Sequence, residues 1–293
     1  MSIIGRRARA AAALIILMSL AVASSAEAQG VDLKSTRHRS HYKREGISRV
    51  REWSVESEEI PESFDGFKMV FVTDTHYPSK FTDRTLEGLR RLLIEISPDA
   101  LLLGGDYQEG CEWVEPLMAG LMDCKPRYGA YAVMGNNDFE RCTAEIYESM
   151  ERNGIKLVEN DTASIWKGGE RIIIAGAHNT FKRRETTPSP TLKLREEDLV
   201  ILLTHTPDYV EDQNIKNTDL ALAGHTHGGQ VTLFNLWAPV TASHYGQRFR
   251  RGLKYNSAGQ PIIISTGIGT SRKKIRIFAS SEVLIITLHS KKG

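Results

Sequence analysis

Phe67-Lys68-Met69-Val70-Phe71-Val72-Thr73-Asp74-Thr75-His76 is a short apolar run that stops at a carboxylate and an imidazole spaced by one residue. The run has the length and composition of a buried strand. Beyond it, Leu86, Leu89, Leu92, Leu93 and Ile96 recur at helical spacing, and Pro98 ends that helix. Ala100-Leu101-Leu102-Leu103 is a second apolar run, closing on Gly104-Gly105-Asp106. Strand, helix and strand make a βαβ unit whose strands are parallel. In open α/β sheets, sites are built outside the carboxyl ends of the strands, where Asp74, His76 and Asp106 fall.

The same pattern continues toward the C-terminus. Ala130 to Met134 reads as a strand ending in Gly135-Asn136-Asn137-Asp138, Leu199 to Leu203 as one ending in Thr204-His205-Thr206-Pro207. Leu220 to Ala223 ends in Gly224-His225-Thr226-His227-Gly228-Gly229-Gln230. Helices are expected from Trp113 to Leu121 and from Ala144 to Asn153, and a hairpin across Gly168-Gly169. Val231 to Phe234, Ile262 to Ser265 and Glu282 to Leu288 are strand-like. Five apolar strands thus each end in Asp, Asn or His.

Those ends supply Asp74, His76, Asp106, Asn136, His205, His225 and His227. Any one of them has a bland explanation: Asp106 as a helix cap, Asn136 in a turn, His225 and His227 in a loop. Together they are too many for one ion and suit two that share a bridging carboxylate. Mixed imidazole and carboxylate ligation favours manganese, iron or zinc over magnesium or calcium.

Asp-x-His, Gly-Asp, Gly-Asn-x-Asp, a lone His after a strand and Gly-His-x-His, in that order, resemble the calcineurin-like metallophosphoesterases. The resemblance runs from about Phe67 to the C-terminus. Its wording, with Gly267-Ile268-Gly269-Thr270 downstream, is most similar to the exported YkuE/YaeI-type phosphodiesterases. The resemblance implies a four-layer α/β/β/α sandwich of two mixed sheets. It implies Asp74, His76 and His227 on one divalent ion, Asn136, His205 and His225 on the other, and Asp106 bridging. The expected activity is hydrolysis of phosphodiesters or monoesters by a metal-activated hydroxide, with Asp106, Asn136 and His225 at the reacting centre. Alternatives are a pyrophosphate hydrolase acting on a lipid-linked nucleotide, and a non-catalytic, envelope-associated metal-binding protein.

One position departs from the family pattern. The third motif usually carries a histidine thought to protonate the leaving oxygen, and Asn137 stands there instead. An amide cannot act as a general acid near neutral pH. His178 and His244 are the candidate replacements, and Asp138 loses the imidazole it orients in the family. Two basic groups, Arg248 to Lys254 and Arg272 to Arg276, could meet anionic substrate or lipid headgroups. Leu233 to Trp237 could form an apolar lip, and Tyr77 and Tyr107 could reach phosphate.

The remaining features bound the setting. Hydrophobic content of 41% and charged content of 25% are globular values, and a net charge of +2 gives no case for nucleic acid as partner. Arg6, Arg7 and Arg9 precede an apolar run from Ala10 to Ala23, and Ala26-Glu27-Ala28 offers a cleavage site. That run is shorter than the ~20 residues a spanning helix needs, so residues 1–28 read as a signal peptide. Residues 29–60 read as a basic lead-in or linker and 61–293 as the phosphoesterase domain. The expected location is the periplasm, cell envelope or exterior, reached by the general secretory route or by the twin-arginine route that Arg6-Arg7 permits. Peripheral contact with the membrane or envelope is compatible with this. Cys111, Cys124 and Cys142 allow one disulfide, without choosing it.

Overall fold

A computed structural model describes residues 31–35, 42, 45–178 and 187–292; the expected signal peptide lies outside the described residues. The chain begins with β1 (Asp32–Ser35), β2 (Arg49–Ser57), β3 (Lys68–Val72), α1 (Asp83–Ile96), β4 (Ala100–Leu103) and α2 (Val114–Met122). It continues through β5 (Ala130–Ala132), α3 (Asn136–Glu140), α4 (Thr143–Arg152), β6 (Ile155–Leu157), β7 (Asp161–Lys167) and β8 (Glu170–Ala177). Then come β9 (Val200–Thr204), α5 (Tyr209–Asp212), β10 (Leu220–Ala223), β11 (Gly252–Tyr255), β12 (Pro261–Ile264) and β13 (Glu282–Ser290). One mixed sheet has the order β1-β2-β13-β3-β4-β5-β6, the other β11-β12-β10-β9-β8-β7.

The βαβ unit forms as read, with Met69 beside Ala100 and Val72 beside Leu103 in parallel register. Helix α1 buries Leu89, Leu92, Leu93 and Ile96 and ends at Ser97, whose N–H caps Leu93 O from a left-handed conformation. The β7–β8 hairpin turns on Gly168 (φ 60°) and Gly169 (φ 83°), a two-residue turn that needs positive φ twice.

Alternation along the strands generates the layers. Val70 and Val72 of β3 face α1, α2 and α4, while Met69 and Phe71 face the other sheet. In β10, Leu220 and Leu222 meet the first sheet, and Ala221 and Ala223 face outward under Tyr209, Val210 and Phe249. Both faces of these strands are covered, which is why they read as unbroken apolar runs. The outermost layer on the second sheet is thin, built from the four-residue α5 and the turn at Gly246–Phe249.

Two expectations differ from the structure. The segment expected as a linker to residue 60 contains β1 and β2, and β2 pairs with β13 in parallel from Arg49–Glu282 to Ser57–Ser290. Its charges hid it: Arg49, Arg51 and Glu52 are only partly buried, while Val50, Trp53 and Val55 enter the cores. Val231 to Phe234 is not a strand and makes only isolated bridges to Ile277 and Trp237. The short strands β6 and β11 give too little periodicity to be read from sequence.

Far from the strand ends that carry Asp74 and Asp106, Asp219 accepts the Val200 N–H at 2.7 Å. Burial, then a hydrogen bond with Glu59, push its carboxyl up to about 9. The folded chain therefore keeps a proton that unfolded aspartic acid, with a pKa of about 3.9, gives up. That contribution is complete below about pH 4 and is lost as pH rises to about 9. Asp219→Asn retains the acceptor for Val200 and removes the linkage. In thermal melts its Tm advantage over wild type widens between about pH 5 and pH 9, by about 2–4 °C per kcal/mol. A gap that does not change with pH contradicts this assignment.

Candidate metal centre

Five strand ends converge where the two sheets meet. Asp74 and His76 leave β3, Asp106 leaves β4, Asn136 opens α3 just after β5, His205 leaves β9, and His225 and His227 follow β10. The turns are stitched together by main-chain bonds from Asp74 N to Gly105 O, His76 N to Asp106 O and Gly224 N to His205 O. Asp74, His76, Asp106, His225 and His227 have φ of 53°, 43°, 55°, 68° and 49°. Left-handed backbone costs a non-glycine residue of order 1–3 kcal/mol and gathers at functional sites. Gly135 and Gly224 are required by proximity: a Cβ on the first would strike Asp106, and on the second Asp74 and Thr73.

Donor atoms of Asp74, His76 and His227 lie within 4.8 Å of one another, as do those of Asp106, His205 and His225. Asp106 lies between the groups, with Oδ2 3.4 Å from His76 Nε2 and 3.4 Å from His205 Nε2. His227 Nε2 is 3.5 Å from Asp74 Oδ1. All six side chains are buried. His76 Nε2 and Asn136 Oδ1 are buried with no hydrogen-bond partner among the described residues. A buried polar atom in that condition costs about 1–3 kcal/mol. Imidazole nitrogen and amide oxygen are donors that first-row divalent cations accept, so the residues present fit such ions.

Outer partners fix how the donors point. His76 Nδ1 is 2.7 Å from Glu109 Oε1, and His205 Nδ1 is 2.7 Å from Gly104 O. These bonds place N–H on Nδ1 and aim Nε2 inward, the usual way a protein orients a ligating histidine. Asp138 accepts N–H bonds from Asp106, Tyr107 and Gly135. It clamps the Asp106 turn and is not left idle by the absence of an imidazole at position 137. Arg276 Nη2 lies 3.2 Å from His227 Nδ1 and donates to Thr266 O at 2.7 Å.

The electrostatics divide the donors into charged and neutral groups. Burial pushes the Asp106 carboxyl up, but His205 and His76 hold it far below the usual range. Burial pushes His205 down, yet Asp106 and Asp74 carry it up to about 10. Burial and the nearby His205 drive His225 down to about 3, and burial with His76 and Arg276 drives His227 down. Both are neutral imidazoles, the form that ligates.

Other candidates have different roles. Asn137 gives its main-chain N–H to Asp106 Oδ1 at 2.9 Å and its Nδ2 to Oδ2 at 2.7 Å. His178 faces Glu159, with Nδ1 2.6 Å from Oε2, and packs on Phe139. His244 lies beside Asp208 at 3.5 Å. Neither histidine lines the cleft over the centre, whose walls include Asp106, Asn136, Asn137, His225 and His227. Tyr107 OH donates to Val133 O and Tyr77 OH to Asp83, so neither phenol is directed to a substrate. Arg250 and Arg276 are spent on main-chain carbonyls instead of forming a basic surface.

Two features escaped sequence reading. Glu109 carried only a weak signal, lying three residues beyond Asp106. The Cys111–Cys142 disulfide ties the turn after β4 to the turn after α3, leaving Cys124 as the free thiol.

The family model for calcineurin-like phosphoesterases matches residues 67–229. The chain is similar to the uncharacterized metallophosphoesterase YkuE of Bacillus subtilis, 29% identical over 82% of this chain and 85% of that protein. It is similar to an uncharacterized metallophosphoesterase of Aquifex aeolicus at 27% identity, over 83% of this chain and 92% of that one. Among solved structures, a 5′-nucleotidase precursor of Thermus thermophilus is 17% identical with a TM-score of 0.46. That match covers 75% of this chain and 54% of the other, so the chain spans about half of that protein.

Removing the carboxylate behind His76 tests the orientation argument. Glu109→Gln lowers Mn2+ affinity about 10–100-fold, measured by calorimetric titration, with Tm nearly unchanged because Glu109 is 39% exposed. Unchanged affinity would show that Glu109 does not orient a ligand.

Proposed function

This chain belongs to the calcineurin-like phosphoesterase family and is a metal-dependent phosphoesterase; we propose that it is exported and uses two divalent ions to hydrolyse phosphodiesters or monoesters. In this reading Asp74, His76 and His227 hold one ion, Asn136, His205 and His225 the other, and Asp106 is shared. The observation that supports it is the position of Asp106 Oδ2, 3.4 Å from an imidazole of each three-donor group. When bound, manganese, iron or zinc at this centre supplies positive charge to the phosphoryl oxygens and brings a water pKa down to about 7.

The chain's own groups do the positioning. Asn137 grips both oxygens of Asp106 and fixes the plane of that carboxylate. Glu109 and Gly104 O hold two imidazoles in their ligating tautomer. At position 137 no group can give a proton to the leaving oxygen, so the proton comes from solvent and stable leaving groups are favoured. The Cys111–Cys142 disulfide supports the export reading, because such bonds persist in oxidising compartments.

Purified protein is expected to carry two equivalents of metal and to hydrolyse bis(p-nitrophenyl) phosphate. Chelation removes both metal and turnover. Asp106→Asn lowers kcat by about a hundredfold or more and reduces metal content. Comparable turnover by that variant rules out a shared carboxylate.

Asn137→His tests the proton account through a ratio. General acid catalysis contributes about 10²–10⁴-fold, so the variant is expected to raise turnover of alkyl relative to nitrophenyl esters by at least about tenfold. The ratio is insensitive to any change in metal loading, and a constant ratio removes the missing-acid explanation.

A further inference from the structure

Beside the cleft, two segments expose large apolar side chains that the fold does not use. Leu233 to Trp237 forms a tight turn, with Leu233 N–H donating to Trp237 O and Leu236 N–H to Leu233 O. Phe234 and Asn235 hold φ of 49° and 61°. Turns give positive φ to Gly or Asn, so an aromatic at Phe234 costs stability. Leu236 is 80% exposed, Phe234 67% and Trp237 52%. Ile275, Ile277 and Phe278 are exposed alongside. Thr232 N–H donates to Ile277 O at 3.0 Å, and the Phe234 and Phe278 rings are 5.2 Å apart. Scattered apolar side chains need no explanation, but a contiguous group of this kind does.

The group is tied to the metal-donor loop. Arg250, 6% exposed, donates Nη1 to Gly228 O and Nη2 to Asn235 O, both at 2.9 Å. Gln230 donates Nε2 to Lys273 O at 2.9 Å and accepts the Ser271 N–H at 3.0 Å. The apolar turn and the 271–275 segment are therefore pinned to Gly228 and Gln230, just after His225 and His227 in the chain. Val240, Arg272, Lys273 and Ile275 also line the cleft.

Charge selects the occupant. Arg272, Lys273 and Lys274 are exposed and run straight into Ile275. From Leu220 to Ser281 the chain has no Asp or Glu. Aromatic side chains beside an acid-free run of cations are what an interfacial membrane element presents. The rings reach headgroup depth and the cations meet anionic lipid. A second copy of this chain would set the same cations against each other across a two-fold axis. We infer that Leu233–Trp237, Arg272–Lys274 and Ile275–Phe278 form a docking rim for an anionic lipid bilayer, setting the cleft at the headgroup surface.

The inference is independent of turnover, because docking is read without it. The whole chain is mixed with vesicles of phosphatidylglycerol or of phosphatidylcholine containing brominated acyl chains, and tryptophan quenching is followed. The signal of Trp237 is the difference between wild type and Trp237→Phe. Binding through the N-terminal apolar run would not bury that side chain. Blue-shifted, quenched Trp237 emission on phosphatidylglycerol is expected. Reversing Arg272, Lys273 and Lys274 to glutamate raises the lipid concentration for half-maximal quenching about a hundredfold. Leu236→Asp weakens quenching while leaving Tm within about 2 °C, as for an exposed position. No quenching of Trp237 overturns the inference, and equal quenching on both lipids overturns the anionic assignment. If vesicles are ignored and Leu236→Asp converts a sedimenting dimer to monomer, the occupant is a second copy and the inference fails.

Discussion

Asp106 is 2% exposed and must be held ionised in a place where a lone carboxylate would be very costly. Its neighbours make that possible: two N–H donors from Asn137 and imidazoles of His76 and His205 at 3.4 Å. Those imidazoles come from different sheets, His76 from the end of β3 and His205 from the end of β9. The face-to-face core between the sheets therefore has to be in place before the charge on Asp106 is compensated. Packing and site are one construction here, since Phe71 and Leu203 in that core lie on the same two strands that deliver His76 and His205.

The strand ends also hold strain. Five of the seven proposed ligands sit at positive φ, a cost that local sequence preference would avoid. Main-chain bonds between neighbouring turns and the clamp of Asp138 on three N–H groups keep them there. Such strain persists where the surrounding structure over-determines it, and three separate apolar cores supply that determination.

The basic residues of the C-terminal third divide by burial. Arg250 and Arg276 bury their guanidinium groups and serve as multi-point clips for carbonyls, burial holding Arg276 down to about 10. Arg272, Lys273 and Lys274 remain in solvent beside exposed Ile275 and Phe278. Sequence treats them all as one kind of cluster. Their different chemistry follows from whether a carbonyl-lined hollow lies within reach of the guanidinium fork.

The apolar strands and the seven candidate donors at their ends were legible in the sequence, and the two-sheet architecture followed from the family resemblance those motifs carry. Strands covered on both faces must be apolar throughout, and Asp, Asn and His are conspicuous where such runs stop. β2 was hidden because a partly exposed strand tolerates Arg49, Arg51 and Glu52 on its open positions. Glu109, the Cys111–Cys142 pair and the two destinies of the arginines were hidden because each depends on a partner from another loop. Tertiary structure decided that Glu109 and Gly104 O orient His76 and His205, and that Asn137 holds the Asp106 carboxylate. The physical reason is distance: spacing along the chain fixes which side of a strand end a residue takes. Only the packing of one sheet on the other brings atoms from β3, β4, β9 and β10 to within a few ångströms.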